Sequence, residues 1–191
     1  MAPQSGWIDQ LHARISVLPR RLVGPGPDEA ARQLILSAAA AAPDHGQILP
    51  WRFIEVSAQA RAKLADVFEQ DLIDRDPDCS TEERLQAREK AERSPWLLLC
   101  VCRETDEYTK INLHERYISL GCAIQNMLLT ATQLGLGSSL TTGQALRSTR
   151  LAQLAGLRPG EAMACFLSVG HVGSLPKPKA RPSPADYFSV L

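Results

Sequence analysis

The sequence predicts a protein of mixed helix and strand structure, folded as one domain around a central helix. Its 191 residues are enough to bury a full hydrophobic core and are a usual length for one domain. Residues 118–134 form the most apolar helical pattern of the chain. Three further segments, residues 51–56, 95–102 and 161–170, are rich in β-branched, aromatic or continuous apolar residues and are predicted strands. Both kinds of element therefore contribute to the predicted core.

The predicted central helix is apolar on most of its circumference, which is typical of a buried helix. One face carries apolar residues at helical spacing, namely Ile124, Met127, Leu128, Ala131 and Leu134. Polar residues such as Gln125 and Asn126 interrupt the pattern too often for a membrane span. Gly135 and Gly137 end the helix, the first as a left-handed C-cap. The hydroxyl-rich residues 138–142 that follow are predicted to form a turn and are a candidate site.

Shorter helices are predicted from apolar spacing, capping residues and prolines. They cover residues 7–15, 30–41, 58–74, 80 to about 93, and 147–157. Asp28 is the predicted N-cap of the second, and Ser80 with Glu83 forms a capping box at the fourth. The fourth helix is polar almost all round, so we expect it at the periphery or at the edge of a lid. The tail from residue 174 carries four prolines, which exclude a central strand or a helix for much of it.

Two loops carry polar residues that could act chemically. Pro19 closes the first helix, and Arg14, Arg20 and Arg21 lie around the turn there, where they form either a solvated basic loop or an anion site. His45 lies between a packed helix and a core strand, on the loop of residues 43–50. A loop histidine is often simply exposed, but loops next to core strands also carry binding residues. Both interpretations stay open from the residues alone.

The composition excludes several classes of partner. The chain has 21 Lys and Arg against 21 Asp and Glu, so no net charge favours nucleic acid or an anionic membrane. Five cysteines at scattered spacing argue against a disulfide framework. Cys100 and Cys102 share a face of a predicted strand and are interpreted as core residues rather than metal ligands, and no metal site is predicted. No secretory signal or lipid anchor is visible, so the expected location is the cytoplasm and the expected partner a small molecule or another protein.

Taken in order, several short segments resemble the nitroreductase family of flavin enzymes, and the resemblance covers nearly the whole chain. No single segment is diagnostic, but the set in this order is specific, and Ala42-Pro-Asp-His with Pro50-Trp-Arg-Phe points to a compact subgroup of that family. The matching segments are Arg14-Ile-Ser-Val, Arg20-Arg-Leu, Ala42-Pro-Asp-His, Pro50-Trp-Arg-Phe, the long stretch from Gly121 to Ser138, and Ser168-Val-Gly with Arg181 downstream.

The resemblance implies an α+β fold with a central, mostly antiparallel sheet flanked by helices. It also implies an intertwined homodimer in which residues 1–191 form one domain and about residues 174–191 form an arm that wraps the partner subunit. Two FMN molecules would lie at the dimer interface, each in contact with both chains. The apolar circumference of the central helix and the proline-rich tail are both compatible with such an interface.

Carried over by position, nine residues are implied to bind the cofactor. Arg14, Ile15 and Ser16 would hold the phosphate and ribityl atoms, with Arg181 as a further phosphate ligand. His45 would reach the cofactor from the other subunit. Leu49 occupies the position just before Pro-Trp. Leu140, Thr141 and Thr142 would lie beside the flavin. No residue is assigned as catalytic, because the chemistry would come from the cofactor.

The implied function is FMN-dependent transfer of a hydride from NADH or NADPH, through the flavin, to a nitroaromatic, quinone or enone in a ping-pong mechanism. The chain departs from the family pattern at four places: Ile15 replaces a second arginine, Leu18-Pro19 lengthens the loop before Arg20-Arg21, Leu49 replaces a polar residue, and Thr141-Thr142 lacks an arginine. These departures motivate an alternative, a non-catalytic flavin-binding or interaction dimer on the same scaffold. A third possibility, an oxygen-using flavin enzyme of the same fold, has no dedicated signal in the sequence.

Overall fold

The computed structural model describes residues 5–105, 110–177 and 180–191. Along the chain the helices are α1 (Ser5–Ala13), α2 (Glu29–Ala39), α3 (Ala58–Arg75), α4 (Thr81–Glu89), α5 (Leu113–Gln133) and α6 (Thr149–Leu154). The strands are β1 (Leu22–Val23), β2 (Trp51–Glu55), β3 (Trp96–Arg103), β4 (Gly137–Thr141) and β5 (Glu161–Val172). Short 3-10 turns occupy Pro19–Arg21, His45–Gln47, Gln144–Arg147 and Pro184–Asp186. Of the four tail prolines, Pro178 lies outside the described residues.

The strands form one sheet whose ladders are antiparallel. Its order is β1-β5-β3-β2, and β4 also pairs with β5. The long strand β5 is therefore the organising strand, since it pairs with three others. A single parallel bridge joins Ser16 to Ser138 at the start of β4. These ladders fit the predicted α+β class with a mostly antiparallel sheet.

Each face of the sheet is covered by its own hydrophobic cluster. On one face α2 and α5 pack against Trp96, Leu98 and Cys100 of β3. On the other face α3 and residues near α6 pack against Leu97 and Leu99 of the same strand. Because successive residues of a strand point to opposite faces, a strand buried on both faces needs the continuous apolar run that β3 carries. Cys100 and Cys102 are fully buried in the first cluster, as predicted.

Helix α5 confirms the predicted central helix, with one correction to its start and one to its predicted core positions. It begins at Leu113, where the Asn112 side chain accepts a hydrogen bond from the Glu115 amide, and not at residue 118. Four of the five predicted core positions are buried, but Leu134 is 40 % exposed, since it lies at the C-cap. Gly135 has a φ of +73°, which confirms the left-handed C-cap.

Residues 138–142 do not form the predicted turn. Residues 137–141 form β4, because the backbone of this segment pairs with β5 along its whole length. Other bounds also differ: α1 ends at Ala13 rather than residue 15, and α6 is shorter than the predicted helix 147–157. Asp28 and the Ser80–Glu83 capping box are confirmed as helix starts. No helix in the described part of the chain is both long and apolar enough to cross a bilayer.

Candidate functional site

The chain after α1 runs beside the start of β4. The amide of Val17 donates a hydrogen bond to the carbonyl oxygen of Ser138 at 2.9 Å, next to the bridge between Ser16 and Ser138. Arg14 and Ile15 are half-buried, while Ser16 is exposed. A Cβ on Gly137 would lie 2.8 Å from side-chain carbons of Leu22 and Val172 and 3.2 Å from Cβ of Val17, so a side chain there would displace its neighbours. The predicted phosphate segment is thereby fixed next to the predicted flavin segment.

Arg14 and Arg181 lie together although 167 residues separate them in the chain. One Arg181 nitrogen donates to the carbonyl oxygens of His12 at 3.1 Å and Arg14 at 2.6 Å, at the end of α1. Burial lowers the pKa of the Arg14 guanidinium, and the positive charge of Arg181 lowers it further. Among the described residues, neither guanidinium forms an ion pair with a carboxylate. Two neighbouring cations of this kind form a site that an anion would stabilise.

The last residues of β4 and those after it present the other predicted contacts. Leu140 is 42 % exposed, Thr141 is half-buried and Thr142 is exposed. Just before them, Ser138 and Ser139 are each only 1 % exposed, and their hydroxyl oxygens have no hydrogen-bond partner in the described part of the chain. Their burial was missed at the sequence level, because a hydroxyl-rich segment is more often a turn than a buried strand.

A cleft of about 640 Å³ opens beside Thr141 and Thr142. The turn at Pro19 forms one side of it, and α3 and the end of α4 form the other. Apolar side chains contribute much of its wall, namely Phe68, Leu72, Leu97, Leu146 and Phe166. Four cations also line it: Arg20, Arg75, Lys90 and Arg93.

The charge of the cleft is positive. Asp71 is the single carboxylate among its described lining residues, and one of its oxygens already lies 3.3 Å from the Arg150 guanidinium. The cleft therefore attracts planar, partly anionic molecules. Of these cations, Arg75, Lys90 and Arg93 were not predicted as site residues, because Arg75 reads as the start of a turn and the other two as the end of a peripheral, solvated helix.

His45 and Leu49 are not brought to this cleft within one chain. They lie on the loop between α2 and β2, where both are exposed. Nδ1 of His45 lies 2.5 Å from a carboxylate oxygen of Glu115, and this contact lowers the pKa of Glu115. The predicted contacts thus form three groups: Thr141 and Thr142 line the cleft, Arg14 and Arg181 lie together at the end of α1 outside its lining, and His45 and Leu49 lie on the loop between α2 and β2.

Comparison with known protein families assigns the chain to one of them. A family model described as "Nitroreductase family" matches residues 14–171. The chain belongs to the nitroreductase family. This membership confirms the resemblance carried by the short sequence motifs, and it confirms that the chain belongs to a family of oxidoreductases.

Similar proteins agree with the nitroreductase assignment. The chain is 30 % identical over 150 residues to "Putative NAD(P)H nitroreductase YdjA" of Escherichia coli, a match that covers 78 % of this chain and 80 % of that protein. Among solved structures it superposes on a nitroreductase-like family protein from Bacillus cereus with a TM-score of 0.80 and 22 % identity, over 100 % of this chain and 98 % of that one. It also superposes on an iodotyrosine deiodinase bound to FMN and 3-iodo-L-tyrosine, with a TM-score of 0.67 and 23 % identity, over 92 % and 94 % of the two chains. These superpositions confirm the predicted α+β fold.

Proposed function

We propose that this nitroreductase-family protein is an FMN-dependent oxidoreductase that oxidises NADH or NADPH and reduces a nitroaromatic, a quinone or an enone. Family membership supports the general class, an NAD(P)H-dependent flavin oxidoreductase. FMN is present in one protein of the same fold. When bound, FMN would supply a ring that accepts a hydride from the nicotinamide and returns electrons to the acceptor, in two half-reactions at one pocket.

The observation that carries the proposal is the Arg14–Arg181 pair. Two guanidiniums in close proximity repel each other, and Arg181 is held in place by carbonyl oxygens rather than by a carboxylate. A phosphate would remove this repulsion and accept charge-assisted hydrogen bonds from both side chains. Ser16 is exposed beside them and adds a hydroxyl donor. The residues present therefore fit the phosphate of FMN.

The flavin ring is assigned to the cleft beside Thr141 and Thr142. The cleft volume of about 640 Å³ is in the range of cofactor sites, and its apolar walls suit a planar aromatic ring. Thr141 is held by the ladder between β4 and β5, opposite Phe166, so this wall is rigid. In this assignment, Ile15 contributes apolar contact beside the ribityl chain.

Arg20 compensates for part of the charge that Ile15 does not provide. Arg20 lines the cleft, whereas the guanidinium of Arg21 donates to the carbonyl oxygen of Leu175 at 2.9 Å and so holds the tail. The two neighbouring arginines thus have different roles. Of the two, Arg20 is the one available to the cofactor.

The proposed assembly is a homodimer in which each flavin also contacts the His45 loop of the second copy. Large apolar side chains are exposed on several elements and need a partner surface: Trp7, Ile8, Leu34, Ile118, Tyr187, Phe188, Val190 and Leu191. Four of them lie in the tail, which supports a role for about residues 174–191 as an arm over the partner. Five free cysteines are typical of a reducing compartment, which supports the expected cytoplasmic location.

The proposal is tested by colour and turnover. Purified protein, as isolated or after reconstitution with FMN, should be yellow and should oxidise NADH or NADPH when a nitroarene or quinone is supplied. Initial rates at varied nicotinamide and acceptor should give parallel double-reciprocal lines, as a ping-pong mechanism requires. A colourless protein that FMN cannot reconstitute would refute the proposal. Bound flavin that neither nicotinamide reduces would instead support the non-catalytic dimer.

A further inference from the structure

The loop that carries His45 and Leu49 has an unusual backbone. Gln47 and Leu49 have φ values of +52° and +50°, and Gly46 between His45 and Gln47 has +71°. Residues other than glycine rarely adopt this left-handed region, and for a bulky residue such as leucine it is an outlier. Leu49 also precedes Pro50, a position that favours extended backbone. The sequence by itself would therefore not hold the loop in this shape.

Asp44 supplies the contacts that oppose this preference. Its carboxylate accepts hydrogen bonds from the Leu49 amide at 2.8 Å and from the Ile48 amide at 3.2 Å, one on each oxygen. Its carbonyl oxygen accepts the Gln47 amide at 3.1 Å. One side chain and one carbonyl of the same residue thus bind three successive amides. A carboxylate that accepts backbone amides forms charge-assisted bonds, which are stronger than neutral ones.

The strained loop presents two of the predicted cofactor contacts. Leu49 is 53 % exposed despite being a large apolar residue, and the His45 side chain is 71 % exposed. His45 is further held by Glu115, which the Asn112 side chain in turn contacts at 2.6 Å. Strained backbone that the surrounding contacts maintain is characteristic of binding sites. The loop therefore holds an exposed leucine and an exposed histidine in a defined orientation at the surface.

We propose that Asp44 is a positioning residue, which holds Leu49 in the left-handed conformation so that Leu49 and His45 are preorganised to contact bound flavin. The role rests on the proposed function, because the flavin is the partner of the loop. Asp44 itself does not touch the cofactor. Its contribution is to keep the loop in the binding conformation before the cofactor arrives, so that less ordering is required on binding.

The test uses the full-length protein and two independent measurements. Amide hydrogen exchange at Ile48 and Leu49 in the cofactor-free protein reports the loop conformation, and titration with FMN reports affinity. The variants are Asp44→Ala, Asp44→Asn, Leu49→Gly and the Asp44→Ala/Leu49→Gly double variant. Asp28→Ala is a matched control, because Asp28 likewise accepts a backbone amide, that of Ala31, but at the start of α2.

We expect Asp44→Ala to accelerate exchange at both amides by about tenfold or more and to weaken FMN binding by a similar factor, with the thermal midpoint near that of the control. Asp44→Asn keeps one acceptor oxygen and should fall between Asp44→Ala and wild type. In the Leu49→Gly background the effect of Asp44→Ala on exchange should shrink, because glycine adopts the left-handed region readily.

Three results would overturn the role. The first is that Asp44→Ala accelerates exchange by the same factor whether residue 49 is leucine or glycine. This result would show that Asp44 does not oppose backbone strain at position 49. The second is faster exchange with unchanged FMN affinity, which would overturn the role while leaving the proposed function intact. The third is failure of FMN to reconstitute the wild-type protein, which would refute the proposed function and this role together.

Discussion

Replacing Arg14 by alanine tests whether this side chain binds the phosphate of the cofactor rather than another part of it. Arg14 is half-buried and lies beside Arg181, so without an anion its charge is disfavoured by burial and by its neighbour. Removing it should leave the stability of the cofactor-free protein unchanged or slightly higher. With FMN bound, the same change removes charge-assisted hydrogen bonds to the phosphate. Such a bond contributes about 1.5 to 3 kcal/mol, which corresponds to a loss of roughly 10- to 150-fold in affinity.

The assay compares FMN with riboflavin, which has the same ring and no phosphate. Flavin fluorescence is titrated with wild type, Arg14→Ala, Arg14→Lys and Lys63→Ala. Lys63 is an exposed cation on α3 that does not line the cleft, so it controls for the change in net charge. Arg14→Ala should lose affinity for FMN alone, and Arg14→Lys should lose less, because it keeps the charge but not the two-pronged geometry.

Two results would refute this reasoning. Equal losses for FMN and riboflavin would show that Arg14 acts through the fold rather than on the phosphate. Unchanged FMN affinity, together with a loss in Arg20→Ala, would move the phosphate anchor to Arg20, one of the cations that line the cleft.

Two further changes test the fold and the assembly. Arg52 donates two hydrogen bonds to Glu161, at 3.0 and 2.5 Å, and the Glu161 side chain is only 3 % exposed. Burial alone raises the pKa of Glu161, but the bonds from Arg52 and from the Arg158 amide outweigh it, so the pKa is below its ordinary value. The pair therefore stabilises the fold above the unfolded pKa of about 4.3, and this stability is lost as the pH falls through the lower folded pKa. Glu161→Gln should lower the free energy of unfolding at neutral pH by about 2 to 3 kcal/mol and flatten its acid dependence; an unchanged acid limb in urea titrations would contradict this. For the assembly, co-expressed Arg14→Ala and His45→Ala chains should recover FMN binding at about a quarter of the sites, since half of the dimers are mixed and each has one intact site. If the co-expressed chains bind no more FMN than each variant alone, both residues contact the same flavin from a single chain.

Much of the fold was predictable because local signals and tertiary contacts agree. The apolar spacing of α5, the glycine after it and the capping residues Asp28 and Ser80 each specify structure within a few residues. Strand β3 was predictable because burial on both faces leaves a continuous apolar run. In these segments the residues that form the element are also the residues that stabilise it.

Strand β4 could not be predicted because its stability comes from another strand. Its sequence, Gly-Ser-Ser-Leu-Thr, has little β-propensity and reads as a turn, but its backbone pairs with five residues of β5. The two-residue strand β1 is a similar case. Both depend on contacts between segments that are distant in the chain, which local patterns do not record.

The site was predictable only in part, and for a related reason. The proximity of Arg14 to Arg181 follows from the family resemblance but from no local pattern, since the two lie at opposite ends of the chain. Lys90 and Arg93 were missed because a charged helix end usually faces solvent, and their position on the cleft depends on how α4 packs near α3. The left-handed conformation of Leu49 runs against its own residue preference, so only the three-dimensional contacts of Asp44 explain it.

The predicted contacts on β4 and those on the His45 loop differ in how they are held, and the difference has a physical consequence. Leu140 and Thr141 are fixed by a backbone ladder, opposite Leu167 and Phe166 of β5. The His45 loop is exposed and depends on a few hydrogen bonds with Asp44, Glu115 and the Arg103 guanidinium. Opening of the loop therefore requires less free energy than separation of β4 from β5. Variation in cofactor affinity should thus arise first at the loop, while the wall beside Thr141 keeps its position.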